Sequence, residues 1–196
     1  QSVSTFAGNP YFIDLETLID KKLLTKEECE SCDWGGSESY VDYEKMYLSR
    51  YKLLRKAYER ADLKNDPDYA VFLKKEKDWL LDYCLFMAIK NAQNGKCWID
   101  WPEELKDRHS KAVKEAEKEL AEEVGFYSFQ QYCFTTQWNK LKEYANEKGI
   151  QIIGDVPIYV ALDSSDAWAN PEMLQFDEDY NPKAVAGCPP DAFSAT

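Results

Sequence analysis

Over residues 124–149 apolar side chains return at helical spacing, as Phe126, Phe129, Tyr132, Cys133, Phe134, Trp138, Leu141 and Tyr144. At Gly149, a residue suited to the C′ position that ends a helix, the pattern changes to Ile150-Gln151-Ile152-Ile153-Gly154-Asp155. Apolar residues on both faces of so short a run predict a parallel strand buried between layers. A helix, a glycine and a buried strand make an α/β unit, and the aromatic helix must pack against something substantial.

The 196 residues predict one domain, or one and a fraction, at about 150 residues per domain. A hydrophobic fraction of 44% beside 31% charged residues gives a soluble globular profile rather than a disordered or membrane one. The net charge of −12 presents a repulsive average field to any polyanion, so nucleic acid is a poor partner. The most apolar stretch, residues 150–162, is broken by Gly154, Asp155 and Pro157 and falls short of the roughly 18 residues a membrane span needs. The opening residues lack the basic-then-apolar layout of an export signal. Six irregularly spaced cysteines do not suggest a disulfide framework, which points to a reducing compartment, the cytoplasm.

Gly8, Asn9 and Pro10 mark a turn, after which Leu15, Leu18 and Ile19 predict a short helix and Thr25 with Glu28 a capping box opening another. Residues 33–39 read as a loop. Tyr47, Tyr51, Leu54 and Tyr58 predict an aromatic-faced helix over residues 43–61. Asp66 as N-cap and Pro67 at the first helical position open a helix to about Asn91, closed by Asn94-Gly95. Trp98 to Trp101 form an aromatic loop, and Pro102 begins a charged, mostly solvated helix running to Glu123. A short helix near residues 164–168 and a hairpin over 174–185 complete the reading. The 14% aromatic content suits stacking on sugar rings as well as core packing, and packing explains most of it.

Few residues stand out as chemistry. Cys29-x-x-Cys32 lacks a second pair or a nearby histidine to complete a zinc site, so these read as ordinary thiols. His109, the only histidine, sits among charges and reads as solvated, which argues against His-dependent nucleophilic or metal chemistry. Gly35-Gly36 lacks the Lys and Ser/Thr of a phosphate loop. No cofactor and no metal are therefore expected. Asp155 is different: an acid ending an apolar strand sits where parallel α/β folds place functional groups, although an Asp capping the next turn has the same pattern. Cys188-Pro189-Pro190-Asp191-Ala192-Phe193 pairs a rigid turn with an acid and an aromatic, as a sugar-binding loop does, although most Pro-rich loops are connectors.

Several stretches, in order across essentially the whole chain, then become specific together. Gln1-Ser2-x-Ser4-x-Phe6-Ala7-Gly8-Asn9-Pro10-Tyr11-x-Ile13-Asp14, Val41-Asp42-Tyr43, Ile152-Ile153-Gly154-Asp155-Val156-Pro157-Ile158-Tyr159-Val160, Asp166-x-Trp168-Ala169-Asn170-Pro171 and Val185-Ala186-Gly187-x-Pro189-Pro190-Asp191-x-Phe193-Ser194 resemble the amylomaltase family of 4-α-glucanotransferases, relatives of the α-amylases. The resemblance implies an α/β fold, an incomplete piece of a (β/α)8 TIM barrel with a large, mostly helical insertion. Residues 1–196 would be part of the catalytic barrel, with 13–123 as the insertion and 124–196 as barrel helix, strand and active-site loop. It implies cutting an α-1,4-glucan such as a maltodextrin and passing the donor part, held covalently, to another glucan's 4-hydroxyl.

By the same resemblance Asp155 orders the subsite beside the cleaved bond without attacking, Asp191 and Phe193 belong to a loop over the groove, and Gln1 and Ser2 lie among the substrate-binding residues. Tyr47 matches a tyrosine of a second, remote glucan site, with core packing as its competitor. Cys188 stands where the family pattern has Val. The Arg-Ile-Asp-His-type motif of the family's nucleophile is absent from these residues, and the nucleophile, the acid/base Glu and a stabilising Asp are expected beyond Thr196. The chain is thus expected to be an inactive fragment of the enzyme. Its rivals are a stand-alone, non-catalytic glucan-binding module and a helical interaction protein.

Overall fold

Short side-chain caps set most of the helix starts. In the computed structural model, which describes residues 2–37, 39–155, 159–184 and 187, Asn9 accepts from the Tyr11 amide and opens a single 3₁₀ turn, Pro10–Phe12. Asp14 caps α1 (Leu15–Asp20), and Thr25 and Glu28 cap α2 (Lys26–Glu30) reciprocally as the capping box requires. Asp42 caps α3 (Tyr43–Arg60), and Asp66 with Pro67 opens α4 (Pro67–Lys75).

The helix predicted to run from Pro67 to Asn91 is instead two. It breaks after Lys75 and restarts as α5 (Leu80–Ala92). Trp79 explains the break: its indole N–H donates to the Glu76 carboxylate at 2.8 Å and its ring stacks on Phe6 at 6.0 Å, while its backbone leaves helical geometry (φ −136°). From there α5 is buried almost all round, through Leu80, Tyr83, Cys84, Leu85, Phe86, Ala88 and Ile89. Asn94 and Gly95, both at positive φ, end it, with the Gly95 amide donating to the Lys90 carbonyl at 2.8 Å.

The charged stretch differs in a similar way. It forms α6 (Glu103–Lys106) and α7 (Ser110–Glu119), with Arg108 at φ +55° between them. The Arg108 guanidinium donates to Asp82 at 2.6 Å and lies 4.2 Å above the Trp168 ring, tertiary contacts that a single straight helix would not deliver. Nor is this stretch wholly solvated, since Leu105, Val113 and Ala116 join the core.

The 27-residue α8 (Ala121–Glu147) follows and ends as predicted. The Gly149 amide donates to Asn146 at 2.9 Å and the Ile150 amide to Ala145 at 2.9 Å, the paired bonds of a Schellman cap, with Gly149 at φ +75°. The buried strand predicted after it does not form. Residues 150–155 are exposed, Ile153 at 91%, and among the described residues there is no β-strand, only the isolated bridge Phe176–Pro182. A strand exists only through its partners' backbone hydrogen bonds, and no second extended segment of the described residues lies beside this one. Of the later elements α9 (Ser165–Ala169) is present, capped by Ser164, whereas the hairpin predicted over 174–185 is, among the described residues, only a tight turn closed by the Phe176–Pro182 bridge, with the Lys183 amide donating to the Gln175 carbonyl at 2.8 Å.

Three apolar clusters make the core. One joins α1 and α3 to Phe126, Phe129 and Cys133 of α8. A second joins Phe72, Tyr83 and Cys84 to Tyr127 and Tyr132 of α8. The third gathers Phe86, Trp98, Trp101 and Trp168, with Val124 packed against it. Helix α8 reaches all three.

Candidate functional site

The motifs at the start of the chain and near its 166th residue meet. The Thr5 amide donates to the Asp166 carboxylate at 2.8 Å and the Ser165 amide to the Val3 carbonyl at 2.9 Å, across about 160 residues of sequence. Asp166 therefore anchors an extended segment rather than merely opening α9. Trp168 behind it is fully buried and donates from its indole to the Leu105 carbonyl at 2.9 Å. The segment is held again further on, where Gln131 bridges the Gly8 amide and carbonyl at 2.8 and 3.0 Å, and Gln137 the Asp14 amide and carbonyl at 2.7 and 3.1 Å. A Cβ at Gly8 would overlap the Phe134 ring, so only glycine allows this approach.

Ser2 lies on that anchored segment, exposed, with its hydroxyl bonded locally to Ser4. Asp155 ends the extended run after α8 and is exposed, which corrects the expectation of a carboxylate buried at a strand end. Tyr47 sits on α3, half exposed at 48%, with its ring 4.5 Å from Tyr51, which itself packs against the first core cluster. Tyr11 and Tyr43 lie near it: the Tyr11 hydroxyl pKa is raised first by burial and then by the neighbouring Tyr47, with Arg50 opposing. Gln1, Asp191 and Phe193 lie outside the described residues.

Sequence reasoning missed Lys90. Its ammonium donates to Asp163 at 2.5 Å and to the carbonyls of Gly95 and Lys96 at 3.1 Å, while the Trp98 indole donates to the Leu162 carbonyl at 2.7 Å. Together they fasten the stretch leading into α9. A lone cation at the end of an apolar helix was the available signal. The glutamines had one too, as amides embedded in an aromatic run.

Among the described thiols Cys84 and Cys133 are buried, and Cys29, Cys32 and Cys97 are partly buried and free. Burial pushes Cys133 up to about 12 and raises Cys29 and Cys84, so they stay protonated. Among the described residues no cluster of three His, Cys, Asp or Glu side chains could hold a metal ion, and no helix is long and apolar enough to cross a membrane. The described surface thus carries exposed tyrosines and, at the end of an extended run, the Asp155 carboxylate.

Comparison with known proteins gives this arrangement its relatives. The profile of the family described as 4-alpha-glucanotransferase, glycoside hydrolase family 77, matches residues 1–196. The 4-alpha-glucanotransferase of Clostridium butyricum is 46% identical over 197 residues, covering 100% of this chain and 40% of that protein. The one from Thermus thermophilus is 44% identical over 200 residues, covering 100% of this chain and 39% of that protein. A solved amylomaltase from Streptococcus agalactiae, in complex with acarbose, superposes with a TM-score of 0.91 at 37% identity, covering 99% of this chain and 40% of that one. The chain spans about two-fifths of the length of the relatives it matches. Matched from end to end in sequence and over nearly its whole length in structure, the chain belongs to the 4-alpha-glucanotransferase (amylomaltase) family.

Proposed function

We propose that the protein carrying this chain transfers α-1,4-glucan segments between maltodextrins by a retaining mechanism. One carboxylate attacks the anomeric carbon while a second carboxylic acid protonates the departing 4-oxygen; the acid, now a base, then deprotonates an acceptor's 4-hydroxyl as it displaces the enzyme from the sugar. Those two carboxyl groups, about 5–5.5 Å apart in such enzymes, come in this reading from sequence outside these 196 residues. The chain itself contributes the helical insertion of residues 13–123 and, over 124–196, a barrel helix, an extended run that is unpaired among the described residues and takes its strand partners from the rest of the protein, and a groove-side loop. Asp155 organises the donor subsite, Asp191 and Phe193 touch the glucan from the loop, Gln1 and Ser2 line the groove, and Tyr47 belongs to a second glucan site. The observation carrying the reading is the superposition of 99% of this chain on an amylomaltase in complex with acarbose.

The test compares two proteins on maltotriose: the chain alone, and a chimera in which it replaces its matched counterpart in the Clostridium butyricum relative. The chimera is expected to form glucose and longer maltodextrins and the chain alone to form none. Asp155→Asn in the chimera should lower kcat by at least about tenfold with little change in KM, the signature of a group acting in the transition state. An inactive but folded chimera, or robust turnover by the chain alone, would overturn the assignment.

A further inference from the structure

Cys29-x-x-Cys32 is the sequence motif that the proposed activity leaves unused. Cys29 is the fourth residue of α2, and Cys32 follows the C-cap Ser31, whose backbone stays helical at φ −76° and ψ −8°. The Cys32 amide donates to the Cys29 carbonyl at 3.4 Å, so the two cysteines begin and end a single turn. Such a turn holds its end Cα atoms less than about 7 Å apart, and a disulfide spans about 4.4–6.8 Å. The flanking backbone is pinned as well. The Asp33 carbonyl accepts from the Ser49 hydroxyl at 2.6 Å, the Asp33 carboxylate pairs with Lys45 at 2.9 Å, and the Cys29 carbonyl accepts from the Trp34 indole at 2.8 Å. Both thiols are free, partly buried and packed on the edge of the first apolar cluster. The Cys32 thiol donates to the Glu28 carbonyl at 3.4 Å, a weak bond to give up. The Cys29 pKa is raised first by burial and next by Cys32 itself, which places the two sulfurs in each other's field; Glu28 and Glu30 add to the rise and Arg50 opposes it.

We propose that Cys29 and Cys32 form a redox modification site, a dithiol that closes to an intramolecular disulfide by exchange with a small-molecule disulfide of the glutathione class. One cysteine gives its proton to solvent, and its thiolate attacks a sulfur of the small disulfide; a mixed disulfide forms and the other half departs as a thiolate. The second cysteine, deprotonated in turn, attacks the protein sulfur of that mixed disulfide and expels the second small thiolate. One S–S bond breaks and one forms, two protein thiols are oxidised, the small disulfide is reduced to two thiols, and the two protons end on those thiols. Two features favour the closed form. The turn already holds the second thiol beside the first, so ring closure runs at a high effective concentration. The pair also sits at the carbonyl end of α2 with a raised Cys29 pKa, the opposite of strongly oxidising dithiols, whose reduced state the fold stabilises as a thiolate. In a reducing compartment the site stays open until the small disulfide accumulates. The proposal is independent of the transferase reading.

Glutathione buffers test this on the 196-residue chain. The chain is equilibrated without oxygen at about pH 8, where thiols of ordinary pKa near about 8.5 exchange, over a series of oxidised-to-reduced glutathione ratios. Free thiols are then trapped with N-ethylmaleimide, and every cysteine is read by peptide mass mapping. The expected product carries a Cys29–Cys32 bond, recognised by the loss of two hydrogens and the absence of label, and dithiothreitol restores both thiols. Half-oxidation is expected at a glutathione ratio at least about tenfold lower in the folded chain than in denaturing urea, the effect of a turn that pre-orders the pair. Cys29→Ser and Cys32→Ser, each made alone, should leave the remaining thiol as a lasting glutathione adduct. Adducts on both cysteines of the parent with no internal bond overturn the proposal, as do thiols that stay labelled through the whole series. A bond from either cysteine to Cys133 or to another thiol does so too. Equal half-oxidation in urea also overturns it, because the fold would then contribute nothing to the pair.

Discussion

Gln131 and Gln137 act as one-residue strands. Each amide donates to and accepts from a single backbone residue, Gly8 or Asp14, so the six-residue spacing on the helix matches the six-residue spacing on the segment it holds. Gln131 is fully buried, and Gln131→Leu would leave both polar groups of Gly8 unpaired. The expected cost is about 1–3 kcal/mol, read as a lower urea midpoint, with Gln137→Leu milder because its bonds are exposed. An unchanged midpoint would show that water replaces the amide at Gly8 without loss. Glu28 works through charge. Arg60 at 2.7 Å, then the Thr25 amide and Lys56, hold its carboxyl well below the usual carboxylate range. A depressed folded pKa means the ionised group stabilises fully above the unfolded value of about 4.3, and that contribution fades as pH falls below it toward the folded value. Glu28→Gln should therefore lower the urea midpoint at pH 7, and the gap to the parent should narrow at pH 3. A gap that is constant across this range would assign the effect to the neutral hydrogen bonds alone.

Among the elements, the Gly149 cap is the cleanest link from sequence to structure. Its φ of +75° costs an L side chain roughly 1–2 kcal/mol, so Gly149→Ala should destabilise by that amount without changing helix content in circular dichroism. A silent substitution would mean the α8 terminus frays in solution. The caps at Thr25, Asp66, Asn94 and Gly149 were readable because each depends on residues within a few positions. The breaks at Trp79 and Arg108 were not readable: each helix yields to a partner far off in sequence, Phe6 in one case and Asp82 with Trp168 in the other. Residues 150–155 show a further limit, because alternating and apolar patterns predict what a segment does when paired, and pairing is a property of its neighbours. Of the candidate site, the motifs around Gly8 and Asp166 could be singled out beforehand, but that they touch is tertiary information that no local pattern carries.

At the scale of the whole molecule, α8 contributes side chains to all three apolar clusters, so none can come apart without disturbing the others. Trp34 reports on the first cluster, Trp98, Trp101 and Trp168 on the one around α9, and Trp79 on the one around α4. Their combined fluorescence and the far-UV circular dichroism should change at one urea concentration, as a two-state transition requires. A fluorescence transition preceding the loss of helix would mean the clusters unfold separately. The anchoring of the first residues to α8 also bears on biosynthesis. Gly8 is made 123 residues before the glutamine that holds it. At about 5–20 residues per second a ribosome needs on the order of 6–25 s to cover that distance. For that interval the segment around Gly8 has no seat, and its apolar residues are open to chaperones and proteases until the middle of α8 emerges.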